Sequence, residues 1–550
     1  MSADAAAQNA VVQKLAKRPL FSRMFASGRQ PLKLVAVPRD HVQGDRQRGD
    51  AMLAGRYILG NEVLALNELD FASLGAGNPV ADGMQGFSWL RDLAAAASRE
   101  KGARVGEALA GRWLLAHGTR VDQAWRPDLW GERILFWTTY APYILSSRDS
   151  GYRSALLNTL VRGARHLNSN ADKASPGIDR ITAWAGLVAA GLLVQGGVPR
   201  VARGESGLAR ALSTAQFEDG GLISRTPYEQ MLLVDRLALL RGAYFAAKQS
   251  LPDSIEAAAA AALAALHGVT MGDGALSSWQ GGNPGEAARL HALIEGCGLR
   301  ARPLRQARGW GYHRLSALGT VVVIDAAPPP PPKMAPSGCA STLAFEMSDG
   351  AQRLIINCGG PQPFPTALPD DLVEGLRTTA AHSTLIVSDT NSTAILADGS
   401  LGKGVEDVTV DRSEDNDCSR LEATHDGYVR GFGLVHKRSL MLGNDGKELR
   451  GADQMIQKGR RKIRDAVPYA IRFHLAPGVE PTITADGMGA ILRSPGAPPW
   501  NFRCRGANLS VEESLMIDGR GQMVPTTQLV IQGEVAAIGG EVAWQFRRSS

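Results

Sequence analysis

Residue types able to move protons or hold anions are densest in one stretch of the first half of the chain, FEDGGLISRTPYEQ (Phe217–Gln230). It carries a phenol at Tyr228, a guanidinium at Arg225 and two carboxylates at Glu218 and Asp219. A phenol can give or take a proton and a guanidinium can hold a carboxylate. Thr and Pro immediately before Tyr228 also suit a helix start, so the same residues could simply begin a helix. HLNSN (His166–Asn170) offers an imidazole and two amides, or a His placed favourably at a helix C-terminus. In the second half, Cys339 lies in PSGCASTLAFEM, Cys358 in IINCGG and His382 in AAHSTL, at or beside strand-like runs. His425, His436 and His474 stand singly in or beside strands and read as structural.

The elements that must position these residues fall into two halves. From about Gly83 to Val269, apolar residues return at three- and four-residue steps, rich in Ala and Leu, with Gly or Pro between segments. That pattern predicts a helix array. The run Ile181–Val194 is apolar nearly all round, which suits an inner helix of a layered array, and such an array could close into an (α/α) toroid. After about Ala307 the chain turns to short β-branched runs, TVVVID, LIIN, STLIVS and TQLVIQ, broken by SDG, NDG and ADG turns. Strands joined by tight turns predict antiparallel sheets in a C-terminal β-sandwich. The expected division is a basic leader over 1–45, the toroid over 46–305 and the sandwich over 306–550.

Length and composition narrow the function. At 550 residues with 44% hydrophobic and 21% charged, the chain has room for several domains and large cores. No run approaches the roughly 18 consecutive apolar residues of a membrane-spanning helix. The net charge of +6 lies wholly in residues 1–60, which hold ten Lys or Arg against four Asp or Glu. A nucleic-acid binder would spread that excess over its folded surface, so none is expected. The leader shows no apolar core followed by a small-residue cleavage site, and five scattered Cys form no disulfide framework. A cytoplasmic location is expected, with peripheral contact of the leader with a membrane surface as a second reading.

Several strings together resemble the heparinase II/III family of polysaccharide lyases. They are FEDGGLISRTP, GYHRL (311–315), TLAFEMSDG (342–350), TTAAHSTL (378–385), HDGY (425–428) and RFHLAPGV (472–479), and the resemblance runs from about residue 45 to the C-terminus. It implies an N-terminal α/α toroid, a C-terminal antiparallel β-sandwich, and β-elimination on an acidic, uronate-containing glycan such as a glycosaminoglycan. Such a reaction needs a cation at the uronate carboxylate, a base for the C5 proton and an acid for the leaving O4. The resemblance implies the role of base or acid for Tyr228, and among the other residues singled out Arg225 is the expected carboxylate binder and His166 an expected assisting groove residue.

The resemblance also implies a structural zinc. The family carries a His-x-His pair, an Asp some eighteen residues on and a later His, and these positions fall here on Ser337 and Cys339, Asn357 and His382. Only His382 is kept, so the expected ligand set is Cys339, Cys358 and His382, with thiolates in place of the missing groups. The alternative is that both thiols are small buried fillers. Tyr228 stands one residue earlier than the family's Tyr, and no equivalent of its Asn or His is found near Asp172–Gly177. Two further readings follow: a non-catalytic glycan-binding protein, or a toroid-type glycoside hydrolase using Glu218 or Asp219.

Overall fold

Asp149 shows how the helices of the first half begin: its carboxylate accepts from the amides of Gly151 and Tyr152 and caps the long helix Ser150–Asn170. The structure, a computed structural model, describes residues 32–75, 79–362, 368–458, 466–535 and 539–549. The leader expected over 1–45 therefore lies, up to residue 31, outside the described residues.

The chain forms two compact units, one of 1–216, 231–263 and 289–300, the other of 217–230, 264–288 and 301–550. In the first, helices dominate. The helix Ile178–Leu193 is buried at every position from Ile181 to Leu193, as its all-round apolar pattern predicts. It meets the helix Pro127–Thr139 through glycines: a Cβ on Gly186 would stand 2.5 Å from the Gly131 Cα, and one on Gly131 2.2 Å from the Thr182 carbonyl oxygen. Trp113, Trp130 and Trp137 pack edge to face, with Arg133 over Trp113 and Trp130 at 4.1 and 4.6 Å. Each aromatic pair adds about 0.5–1.5 kcal/mol beyond its burial.

The second unit contains two eight-stranded antiparallel sheets, the sandwich expected from the second half. One runs Glu480–Ile483, Gly489–Arg493, Trp500–Cys504, Gly540–Arg548, Glu448–Gln457, Leu434–Gly443, Cys418–His425 and Val408–Glu414, which is an edge. The other runs Asn508–Ile517, Met523–Val535, Val467–Leu475, Gln352–Ile356, Phe345–Asp349, Thr320–Asp325 and Tyr312–Ala317, with Leu385–Val387 paired to Val467–Leu475. Their shared core holds Phe345 stacked on Trp544 at 5.6 Å, with Phe473, Phe502 and Phe546 around it.

Within that core lies a polar chain with one consistent set of protons. The Gly427 amide donates to His425 Nδ1, so His425 carries its proton on Nε2 and donates to His436 Nδ1 at 3.1 Å. His436 must then donate from Nε2 to Asp453 at 2.7 Å. Arg438 and the Trp544 indole also donate to Asp453, and Arg438 reaches on to the carbonyls of Leu343 and Ser383. Burial pushes the Asp453 carboxyl up, but Arg438 and His436 outweigh it and hold it below the usual range.

Candidate functional site

The loop Phe217–Thr226 is shaped by its own side chains. Asp219 accepts from the amides of Gly309 and Trp310 at 2.9 and 3.0 Å, and Gln230 accepts from Leu222 and donates to Gly220. Gly221 leaves no room for a side chain, since a Cβ there would fall 2.1 Å from the Trp310 ring. The helix Pro227–Ala246 then begins, placing a half-buried Tyr228 on its first turn beside Glu229, whose carboxyl burial pushes up.

Arg225 precedes this helix in the left-handed region, φ 58°, and is 2% exposed. Its Nη2 meets Asp325 Oδ1 at 2.5 Å, Nε donates to the Trp310 carbonyl and Nη1 to the Pro328 carbonyl, both at 2.7 Å. A longer contact runs to the Ala327 carbonyl, and the Tyr312 ring lies 4.7 Å beneath the guanidinium. The expectation of a carboxylate-binding Arg225 thus meets a guanidinium already committed to an internal carboxylate. Its physical reason is distance in sequence: Asp325 is 100 residues away and only the fold brings it here.

From Asp325 the network continues. Ser341 donates to Asp325 at 2.7 Å, and the Gln280 amide donates to Ser341 at 3.0 Å and to Asp325 at 3.4 Å. The Gln280 side-chain oxygen accepts the Cys339 amide at 2.8 Å, and the Gln280 backbone carbonyl accepts the Ser337 hydroxyl at 3.0 Å. One hydrogen-bonded chain therefore runs from Arg225 through Asp325 and Gln280 to Ser337 and Cys339. A parallel set surrounds Glu346, which is fully buried, accepts from Ser278 and Asn357, and pairs with Arg353, itself paired to Asp273. Burial raises the Glu346 carboxyl to about 7, against the pull of Arg353. Gln280, Asp325 and Glu346 escaped the sequence reading because each sits alone in a segment with no repeat, and only their shared burial marks them.

The three expected zinc ligands are not brought together. Cys339 turns its thiol to the Ser337 carbonyl, Cys358 faces His474 Nδ1 at 3.6 Å and Ser514, and His382 donates from Nδ1 to the Thr378 carbonyl at 2.7 Å. Among the described residues no group of three His, Cys, Asp or Glu side chains is arranged to hold a metal. Burial raises both thiols to about 12, which suits neutral packing groups. These residues do not fit a zinc ion, whose binding needs deprotonated, convergent ligands.

His166, in the first unit, lies edge-on to Trp125 at 5.5 Å with Asn170 Nδ2 at 3.4 Å from its Nδ1, and burial lowers its pKa. Among the described residues no helix is long and apolar enough to cross a membrane.

Residues 299–545 match the family model Heparinase II/III-like, C-terminal. Over 545 residues the chain is 27% identical to FtsZ-localized protein C of Caulobacter vibrioides, spanning 94% of this chain and 91% of that one. The fold is similar to that of heparinase III, with a TM-score of 0.70 at 13% identity over 98% of this chain and 89% of that one. A mutant of the heparan sulfate lyase HepC from Pedobacter heparinus gives 0.64 at 14% identity, covering 100% and 89%. These likenesses establish a helical toroid followed by an antiparallel β-sandwich.

Proposed function

We propose, from the match of residues 299–545 to the heparinase II/III-like C-terminal family and the likeness of the fold to heparinase III, that the chain engages an acidic, uronate-bearing polysaccharide or oligosaccharide, and recognises it rather than cleaving it by β-elimination. The observation that carries this reading is the state of Arg225, whose guanidinium is held by Asp325 and backbone carbonyls. β-Elimination builds enolate-like charge beside the uronate carboxylate, and a cation spent on an internal carboxylate offers little to stabilise it. Ser337 puts a hydroxyl where the family resemblance implies an imidazole, and a hydroxyl is a poor base near neutral pH.

The lyase reading rests on Tyr228, a half-buried phenol beside a carboxyl raised by burial. The hydrolase reading is weaker, because the Asp219 carboxylate serves the amides of Gly309 and Trp310. A screen of acidic glycans separates all three: we expect saturable binding with the glycan recovered intact. Ultraviolet-absorbing unsaturated uronates among the products would replace this reading with the lyase one, and new saturated ends would replace it with the hydrolase one.

The likeness along nearly the whole chain to a protein named as FtsZ-localized supports a setting in bacterial cell division. We propose that this chain shares its location with FtsZ. A fluorescent fusion in its own cells should coincide with FtsZ, and a fusion spread evenly through dividing cells would refute that placement.

A further inference from the structure

The polar lining of a pocket of about 370 Å³ in the sheet unit is Gln306, Arg308, His313, Asp411 and Arg412. Val408 and Val410, from the edge strand Val408–Glu414, and Pro328 give it an apolar side. Side chains alternate along that strand, so Val408, Val410 and Arg412 share a face. Ser413 turns to the opposite face and borders a separate depression with Glu422 and Ser439, while Asp411 lines both that depression and this pocket, where it stands beside Arg412.

His313 is 1% exposed, and its Nδ1 has no hydrogen-bond partner among the described residues. A buried polar atom left unpaired is unfavourable, and the pocket is where a partner would arrive. Arg308 is exposed and forms no ion pair among the described residues. Arg412 is held in place by the Arg305 carbonyl and Glu414, using two of the five N–H groups of its guanidinium. Two guanidinium groups against one carboxylate, a buried imidazole nitrogen without a partner and apolar side chains make the outline of a site for an amphipathic anion.

We propose that this pocket binds one acidic sugar unit of a glycan, its oxyanion held by Arg308, Arg412 and His313 Nδ1–H and the C–H face of its ring against Val408, Val410 and Pro328. The inference rests on the glycan-recognition reading and adds a second contact region to it. Carboxylate and sulfate ester share the chemistry recognised here, and guanidinium groups bind either. Burial, with Arg412, Arg225 and Arg308 facing it, lowers the His313 imidazole to about 4, so near pH 7 it is neutral and can donate from Nδ1. A bound anion offsets those three cations and raises that value.

The test is calorimetric titration of the full chain with four probes: a glucuronate-containing tetrasaccharide, its carboxyl-reduced neutral form, a sulfated neutral tetrasaccharide and inorganic sulfate. Arg308→Ala, at an exposed side chain, preserves the fold, and His313 ring resonances give an independent readout. We expect the neutral form to bind at least about tenfold more weakly than an anionic one, Arg308→Ala to cost about tenfold or more, and the His313 resonances to move on binding. Whichever anionic tetrasaccharide binds names the oxyanion. Equal binding by wild type and Arg308→Ala with an unmoved His313 would overturn this site and leave the glycan reading standing. Binding of inorganic sulfate alone would overturn the sugar ligand, and failure of every tetrasaccharide to bind wild type would overturn both.

Discussion

Arg225 and Asp325 form an ion pair with Nη2 2.5 Å from Oδ1, at 2% and 1% side-chain exposure. Pairs this deep contribute little net stability when intact, but removing one partner strands the other charge away from water.

Arg225→Ala should therefore lower the unfolding free energy by about 3–5 kcal/mol, while the double replacement Arg225→Met with Asp325→Leu should recover part of that loss. Urea denaturation of the three proteins decides it. A single-variant loss under about 1 kcal/mol would show that the pair is not the clasp described here.

Stability should fall as the solution is acidified. Burial lowers His313 and His382 to about 4 and His474 to about 3, from an ordinary value near 6.5. The unfolded chain then binds more protons than the fold between these limits, so the contribution of these histidines is complete above about 6.5 and is lost as pH falls through 4 and 3. Glu346, raised to about 7, works in the opposite sense: its contribution is present below its unfolded value and lost as pH rises through 7. These four groups together contribute a net loss of about 3–5 kcal/mol from pH 7 to pH 4.5. Denaturation midpoints that stay flat over that range would contradict the neutral buried histidines.

All five cysteines are buried, and burial holds Cys339 and Cys358 at about 12, so little thiolate exists at pH 8. Ellman's reagent should react slowly with the native protein and with all five thiols after denaturation. Elemental analysis of protein prepared without chelator should find no stoichiometric zinc, and Cys339→Ser should melt close to the parent. One firmly held zinc per chain, released by Cys339→Ser, would restore the metal-site expectation.

Gly186→Ala should be disruptive despite adding one methyl group, because its Cβ meets the backbone of Gly131 at 2.5 Å. Overpacking against backbone costs about 1–3 kcal/mol. A thermal melt unchanged from wild type would mean that the two helices separate without penalty.

Local periodicity carried most of the fold. The all-round apolar run at Ile181 marked an inner helix, and TVVVID marked the strand Thr320–Asp325. The segment 270–310 shows less, because Gly-rich SSWQGGN has neither helical nor strand periodicity. It instead holds Trp279 and Gln280 at 0% exposure and includes a further helix, Ala287–Gly296. For the site, residue type was visible but partnership was not. Arg225 offers the same guanidinium whether it faces a substrate or Asp325. The Cys339, Cys358 and His382 set came from family spacing, whereas the loop turns that separate the three depend on Gln280, Ser514 and Thr378. His425 and His436 read as structural, but their relay to Asp453 needed the strand register that sets His436 across from His425 and Arg438 across from Asp453.

The sandwich unit is not one continuous stretch of chain, since it takes in 217–230 and 264–288 as well as everything from 301 onward. Those two inserts provide Arg225 for Asp325, Ser278 for Glu346 and Asp273 for Arg353. A gene fragment that begins at residue 299, where the family match starts, would encode the sheets but deprive Asp325 of Arg225, Glu346 of the Ser278 amide and Arg353 of Asp273. In evolutionary terms the module is not portable: it could not be copied alone into another protein, and the two halves are expected to be inherited together.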